Sequence, residues 1–129
     1  MLSTAPVTTM LPVADLDRAR RFYEDKLGLE PLGAAPDGAL RYRCQNVVLA
    51  LLPRPDARPA AHTALSFEVS DLERELSELE AKGVVFEDYD LPQLRTVNHV
   101  CVLGSEKAAW FRDSEGNYLC LHQELGPRA

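Results

Sequence analysis

Four side chains able to bind a metal or move a proton fall in two close pairs late in the sequence, His99-x-Cys101 and Cys120-x-His122. Alternate residues of a β-strand share a face, so each pair would present a thiol and an imidazole together. Two such pairs supply the donors of a Cys₂His₂ zinc site. Structural zinc sites, however, usually draw close ligand pairs from turns. The competing reading makes Cys101 and Cys120 small buried apolar residues and sets the histidines at strand ends. Cys120 and His122 could also pair as nucleophile and base, although no oxyanion feature accompanies them. His62, two residues before Ala64 and on its side of a strand, reads as a displaced ligand or as a histidine at a strand mouth. The glycines form neither G-x-G-x-x-G nor a P-loop, so no phosphate cradle is indicated.

The elements that would position these groups come in two copies. Thr8 to Leu16 and Ala64 to Leu72 are short strand patterns that both end in Val-x-Asp-Leu. Each enters a charged helix, expected from Asp15 to Leu27 and from Asp71 to Lys82. Asp15 and Asp71 can accept hydrogen bonds from the first free helical N–H groups. Ser70 with Glu73 also fits a capping box. Leu72, Leu76 and Leu79 form one helical stripe, matched by Leu16, Ala19, Phe22, Tyr23 and Leu27. Gly28 and Gly83 follow where a left-handed C-terminal residue belongs. Three stretches of strand material follow in copy one: Glu30–Leu32, Ala39–Cys44 and Val47–Leu52. In copy two Val84–Phe86 is followed by a long segment to Val102, then by Ala108–Arg112 and Tyr118–His122. Three prolines between Pro53 and Pro59 read as a stiff linker. The expected organisation is one domain over residues 1–129: module one at about 7–53, the linker at about 53–60 and module two at about 61–124.

Composition narrows the function classes. The 129 residues are 46% apolar and carry a formal charge of −6, from 14 basic and 20 acidic residues. Such a balance argues against a nucleic-acid footprint and against adsorption to anionic membranes. No run is long and apolar enough to span a bilayer. The three cysteines, an odd number without close pairing, read as free thiols of a reducing compartment. The opening residues show no basic stretch followed by an apolar core. A cytoplasmic location is therefore expected.

Two stretches resemble a known family. Leu11 to Leu29, with Phe22-Tyr23 and Leu27-Gly28-Leu29, is similar to the opening strand and helix of the glyoxalase / bleomycin-resistance / dioxygenase (vicinal oxygen chelate) superfamily. Trp110-Phe-Arg-Asp-Ser-Glu-Gly-Asn-Tyr-Leu119 resembles that family's closing turn and strand. The resemblance covers roughly residues 7–124. It implies an α+β fold of two βαβββ modules forming curved mixed sheets around a concave pocket. It also implies a homodimer. Enzymes of the family hold a divalent metal through His, Glu or Gln at equivalent strand positions. Those positions fall here on Thr8, about Ala50, Ala64 and Cys120. Alanine has no donor atom, and hard cations want carboxylates or water. No metal, no cofactor and no catalytic residue is therefore expected.

What the resemblance leaves is a pocket for a small molecule. Tyr118, Cys120 and His122 face opposite Leu119 and Leu121, which suit the helix-packed side. Phe111 stands at the family's core position, which turns Trp110 and Arg112 toward the concavity, with Thr8 and Met10 from the first strand. Tyr42 and His62 complete the candidate lining, and Tyr89 lies in a segment that could form a flap. Aromatic residues in a concave sheet can stack on flat ligands. The expectation is a metal-free protein that sequesters a hydrophobic or aromatic ligand such as a drug or natural product. The alternative is a metal-dependent lyase, isomerase or dioxygenase with a non-standard site, such as one built from His99, Cys101, Cys120 and His122.

Overall fold

A computed structural model of the chain describes residues 1–126, which form two compact units, Met1–Arg58 and the residues from Pro59 onward. Each unit is a four-stranded mixed sheet with one helical segment against it, so the chain is α+β and repeats its βαβββ plan.

In the first unit the strands are β1 (Thr8–Val13), β2 (Glu30–Ala34), β3 (Leu40–Cys44) and β4 (Val47–Pro53), ordered β1-β4-β3-β2. Strand β1 runs parallel to β4; the other pairs are antiparallel. Helix α1 (Leu16–Arg21) begins where expected, because the Asp15 carboxylate accepts from Arg18 N at 3.1 Å. It does not stay α-helical to Leu27. Phe22–Lys26 forms a π-helical turn, and Leu27 N donates to Phe22 O at 3.2 Å. The wider turn brings Phe22 and Tyr23 into the core side by side, ring centroids 5.5 Å apart. Gly28 then reverses the chain at φ +72°, a conformation that penalises any side chain.

The second unit holds β5 (Thr63–Glu68), α2 (Leu72–Ala81), a two-stranded ribbon of β6 (Asp90–Leu91) and β7 (Leu94–Arg95), then β8 (Cys101–Leu103), β9 (Glu106–Arg112) and β10 (Tyr118–Glu124). Its sheet order is β5-β10-β9-β8, with β5 parallel to β10. The α2 stripe of Leu72, Leu76 and Leu79 is buried, as the periodicity requires. Beneath it lie Phe111, Leu119 and Leu121, also buried.

Two local expectations are corrected here. The α2 cap is Asp71, accepting from Arg74 N at 3.2 Å, and not a Ser70/Glu73 box. Glu73 instead takes both carboxylate oxygens to Lys107 Nζ, at 2.6 and 2.7 Å. Val84–Phe86 is not a full strand either: only Phe86 bridges to Phe111. Val84 N is already committed to Leu79 O at the helix end, so the backbone cannot join the sheet sooner.

A candidate ligand-binding face and its polar cluster

The hairpin between β9 and β10 sets the site. Asp113, buried, accepts from Glu115 N and Asn117 N at 2.8 Å each, and Asn117 Nδ2 donates to its other oxygen at 3.0 Å. With this turn locked, Trp110 pairs with Cys120, Arg112 with Tyr118, and Ala108 with His122. Directly paired residues share a face, so five of the sequence candidates stand together on the side away from α2. Leu119, Leu121, Phe111 and Ala109 take the other side and are buried. Strand β5 adds Ser66 opposite Cys120 and Glu68 opposite His122. An irregularity at Tyr118–Leu119 lets Thr63 reach the same group.

Trp110 is held at its edge. Its Nε1 donates to Thr63 Oγ1 at 3.2 Å, and Tyr89 meets the indole edge-on, centroids 5.8 Å apart at 82°. The Arg112 guanidinium lies 4.7 Å from the Tyr118 ring centroid and gives Nε to Glu87 at 2.7 Å. The Glu87 bond raises the arginine's already high pKa further. Burial, then the nearby Glu87 charge, pushes the Tyr89 phenol up. Tyr89 also lines a hollow of about 530 Å³ with Asp88, Asp90, Arg95 and Thr96. A second hollow, about 630 Å³, lies on the α2 side near Glu73, Lys107 and Val102. Trp110 lines neither of these two hollows.

His122 sits between two β5 side chains. Its Nδ1 is 2.6 Å from Ser66 Oγ, and its Nε2 is 3.8 Å from Glu68 Oε1. Cys120 does not use this imidazole. Its thiol donates to Leu121 O at 3.3 Å, and burial raises its pKa, partly offset by Ser66. The Cys120–His122 contact that the sequence left open is not formed, and His122 meets Ser66 instead. Sequence reading missed Ser66, Glu68, Thr63 and Glu87, since each depends on a neighbour in another strand or segment.

The remaining candidates are placed elsewhere. Tyr42 faces the helical side of the first unit's sheet: it is fully buried and its hydroxyl donates to Glu24 Oε2 at 2.8 Å. Its register with Leu49 sets that direction, so it is core and not lining. Thr8 and Met10 lie on the first unit's opposite face, with Ala50 beside Met10. His62 is exposed just before β5, its Nδ1 donating to Thr63 O at 3.1 Å.

The pairing expected of His99 and Cys101 is overturned. His99 lies before β8 in a turn at φ +72°, where strand alternation does not apply. Its ring points to Asp88 (3.0 Å) and to Glu80 of α2 (3.5 Å), while Cys101 pairs with Ala108 on the other face.

Neither unit offers the donors of a divalent metal at the family positions. In the first they are a threonine hydroxyl and Ala50; in the second they are Ala64 and a neutral buried thiol. Among the described residues no three His, Cys, Asp or Glu side chains are grouped to hold a metal ion. The residues present do not fit that ion.

The sequence profile of the Glyoxalase/Bleomycin resistance protein/Dioxygenase superfamily matches residues 5–121, so the chain belongs to that superfamily. No curated protein matches the sequence. Solved structures share the fold at low identity. TnmS3, an antibiotic binding protein from Streptomyces sp. CB03234, is 22% identical with a TM-score of 0.67, covering 94% of this chain and 98% of its own. The fosfomycin resistance protein FosX from Listeria monocytogenes gives 13% identity and 0.72, covering 96% and 92%. Lactoylglutathione lyase from Agrobacterium tumefaciens gives 24% and 0.66, covering 93% of each chain. These likenesses establish the fold alone. Among the described residues no helix is long and apolar enough to cross a membrane.

Proposed function

We propose that the chain is a metal-free binding protein that sequesters a small planar aromatic or hydrophobic molecule, such as a drug or natural product. The observation that carries this reading is the setting of Trp110. Thr63 satisfies its only polar atom and Tyr89 braces its edge, leaving an oriented indole on a sheet face beside Tyr118 and Arg112. An indole whose N–H is already bonded offers its π-surface at little ordering cost. The antibiotic-binding and antibiotic-resistance proteins among the structural neighbours support the same direction. His62, just before β5 in the same unit, is a secondary contributor in this reading. The working form is a cytoplasmic homodimer, in which a second copy covers strand edges such as β8, whose Val102 and Leu103 are exposed.

Trp110 is the only tryptophan, so its emission reports the face directly. Titration with flat aromatic compounds should quench or shift it saturably. Trp110→Ala should weaken binding several-fold, since stacking contributes about 1 kcal/mol beyond area burial. Metal analysis of the purified protein should find no stoichiometric zinc, nickel, manganese or iron, and sedimentation should give a dimer. A panel that never perturbs Trp110, or a chelatable metal on which a measured activity depends, would refute the reading.

A further inference from the structure

The Ser66–His122–Glu68 group has the parts of an activated nucleophile. We propose that Ser66 is an acyl-accepting nucleophile, with His122 as its base and Glu68 as the positioning residue, and that it acts on small esters or lactones. The register of the parallel pair β5–β10 places all three on one face, with Cys120 opposite Ser66 and His122 opposite Glu68. Ser66 is exposed, which an attacking hydroxyl requires. Its Oγ is 2.6 Å from His122 Nδ1, within the reach of a nucleophile–base pair. On the far side of the ring, Glu68 Oε1 is 3.8 Å from Nε2. That carboxylate favours the tautomer protonated at Nε2, leaving Nδ1 with the lone pair that accepts from Ser66. The other candidate for this imidazole, Cys120, keeps its proton and donates it to a backbone carbonyl.

The step balances without a further reagent. Ser66 Oγ attacks the acyl carbon, and the Oγ–C bond forms while the bond to the leaving alkoxide breaks. The Oγ proton passes to His122 Nδ1 and on to the alkoxide, giving an alcohol that departs from an ester and stays tethered to the acyl group of a lactone. Water then adds to the acyl carbon and gives a proton to Nδ1. The C–Oγ bond breaks, the acid leaves, and the proton returns to Oγ.

A fluorophosphonate probe tests this on the full chain, because it forms a P–O bond to a nucleophilic serine, expels fluoride and does not turn over. Peptide mapping should find one label per chain, on Ser66. Ser66→Ala should abolish labelling. His122→Gln should slow it by on the order of 100-fold, as expected for loss of a general base. Glu68→Gln should slow it less, and Glu68→Asp should recover part of the rate, whereas a purely structural role would not follow the charge. Ser77→Ala, on exposed α2 surface, should label normally. Release of p-nitrophenolate from p-nitrophenyl acetate should follow the same order. Absence of label in the native chain, or a label that survives Ser66→Ala, overturns the proposal, and binding of aromatic compounds to Trp110 is read separately.

Discussion

Tyr42 Oη donates to Glu24 Oε2 at 2.8 Å, tying the middle of β3 to the π-helical turn that follows α1. Burial, then the Glu24 bond, raises the phenol's pKa well above its ordinary value of 10.0. The folded chain therefore keeps a proton that the unfolded chain gives up near pH 10. This stabilisation is complete below that pH and is lost as pH rises toward the folded value. Urea midpoints should fall above about pH 10. Tyr42→Phe should cost about 1 kcal/mol at neutral pH and flatten that alkaline limb. An unchanged limb in the variant would remove Tyr42 as its source.

Neighbouring residues on β9 should separate core from face. Phe111 is fully buried and packs on Phe86 at 5.2 Å between ring centroids. Phe111→Ala should cost about 3–5 kcal/mol in denaturant unfolding. Trp110→Ala, on the less buried face, should cost clearly less while altering ligand binding. Equal destabilisation would mean that Trp110 is core.

The thiols should differ in reactivity. Cys101 and Cys120 are buried, whereas Cys44 is partly exposed, although its own burial also raises its pKa. Iodoacetamide at mildly alkaline pH should modify Cys44 first and Cys120 only on unfolding, because alkylation needs an accessible thiolate. Mass mapping under native conditions gives the order, and early modification of Cys120 would contradict its placement.

Lys107 and Glu73 give an acid-side prediction. The Lys107 hydrogen bond lowers the Glu73 pKa, so its contribution is present above the unfolded carboxyl value and is lost as pH falls through the folded one. Glu73 is more than half exposed, which limits the pair to roughly 0.2–1 kcal/mol. Lys107→Met should therefore change neutral-pH stability by no more than about 1 kcal/mol and reduce the loss on acidification below about pH 4. A much larger loss at neutral pH would show that the lysine stem's packing, and not the ion pair, dominates.

Sequence alone made much of the fold legible because its signals are local. Asp15 and Asp71 cap the helices they precede, Leu72, Leu76 and Leu79 face inward, and Gly28 and Gly83 take positive φ. The common face of Trp110 and Arg112 came from alternation anchored on a family core position. Relations across strands stayed hidden. The Ser66–His122 contact joins residues 56 apart through a parallel register that no local pattern encodes. Tyr42 was misplaced because its strand's register was not readable, and His99 because a positive φ interrupted the assumed alternation.

One contact of β10 bears on how the second unit assembles. The first turn of α2 receives a cap from far along the chain: Leu72 N donates to Gln123 Oε1 at 2.8 Å. Strand β10 is the last of its sheet in sequence and stands in its middle, between β5 and β9. During synthesis, β5, α2 and β9 would emerge before the strand that joins them, leaving β5 with no in-sheet partner and α2 short of one N-terminal acceptor. Closing a long loop must precede the reward of such contacts, so the unit should fold late and all at once. Until then its unpaired strands are surfaces that chaperones or a second nascent copy could engage.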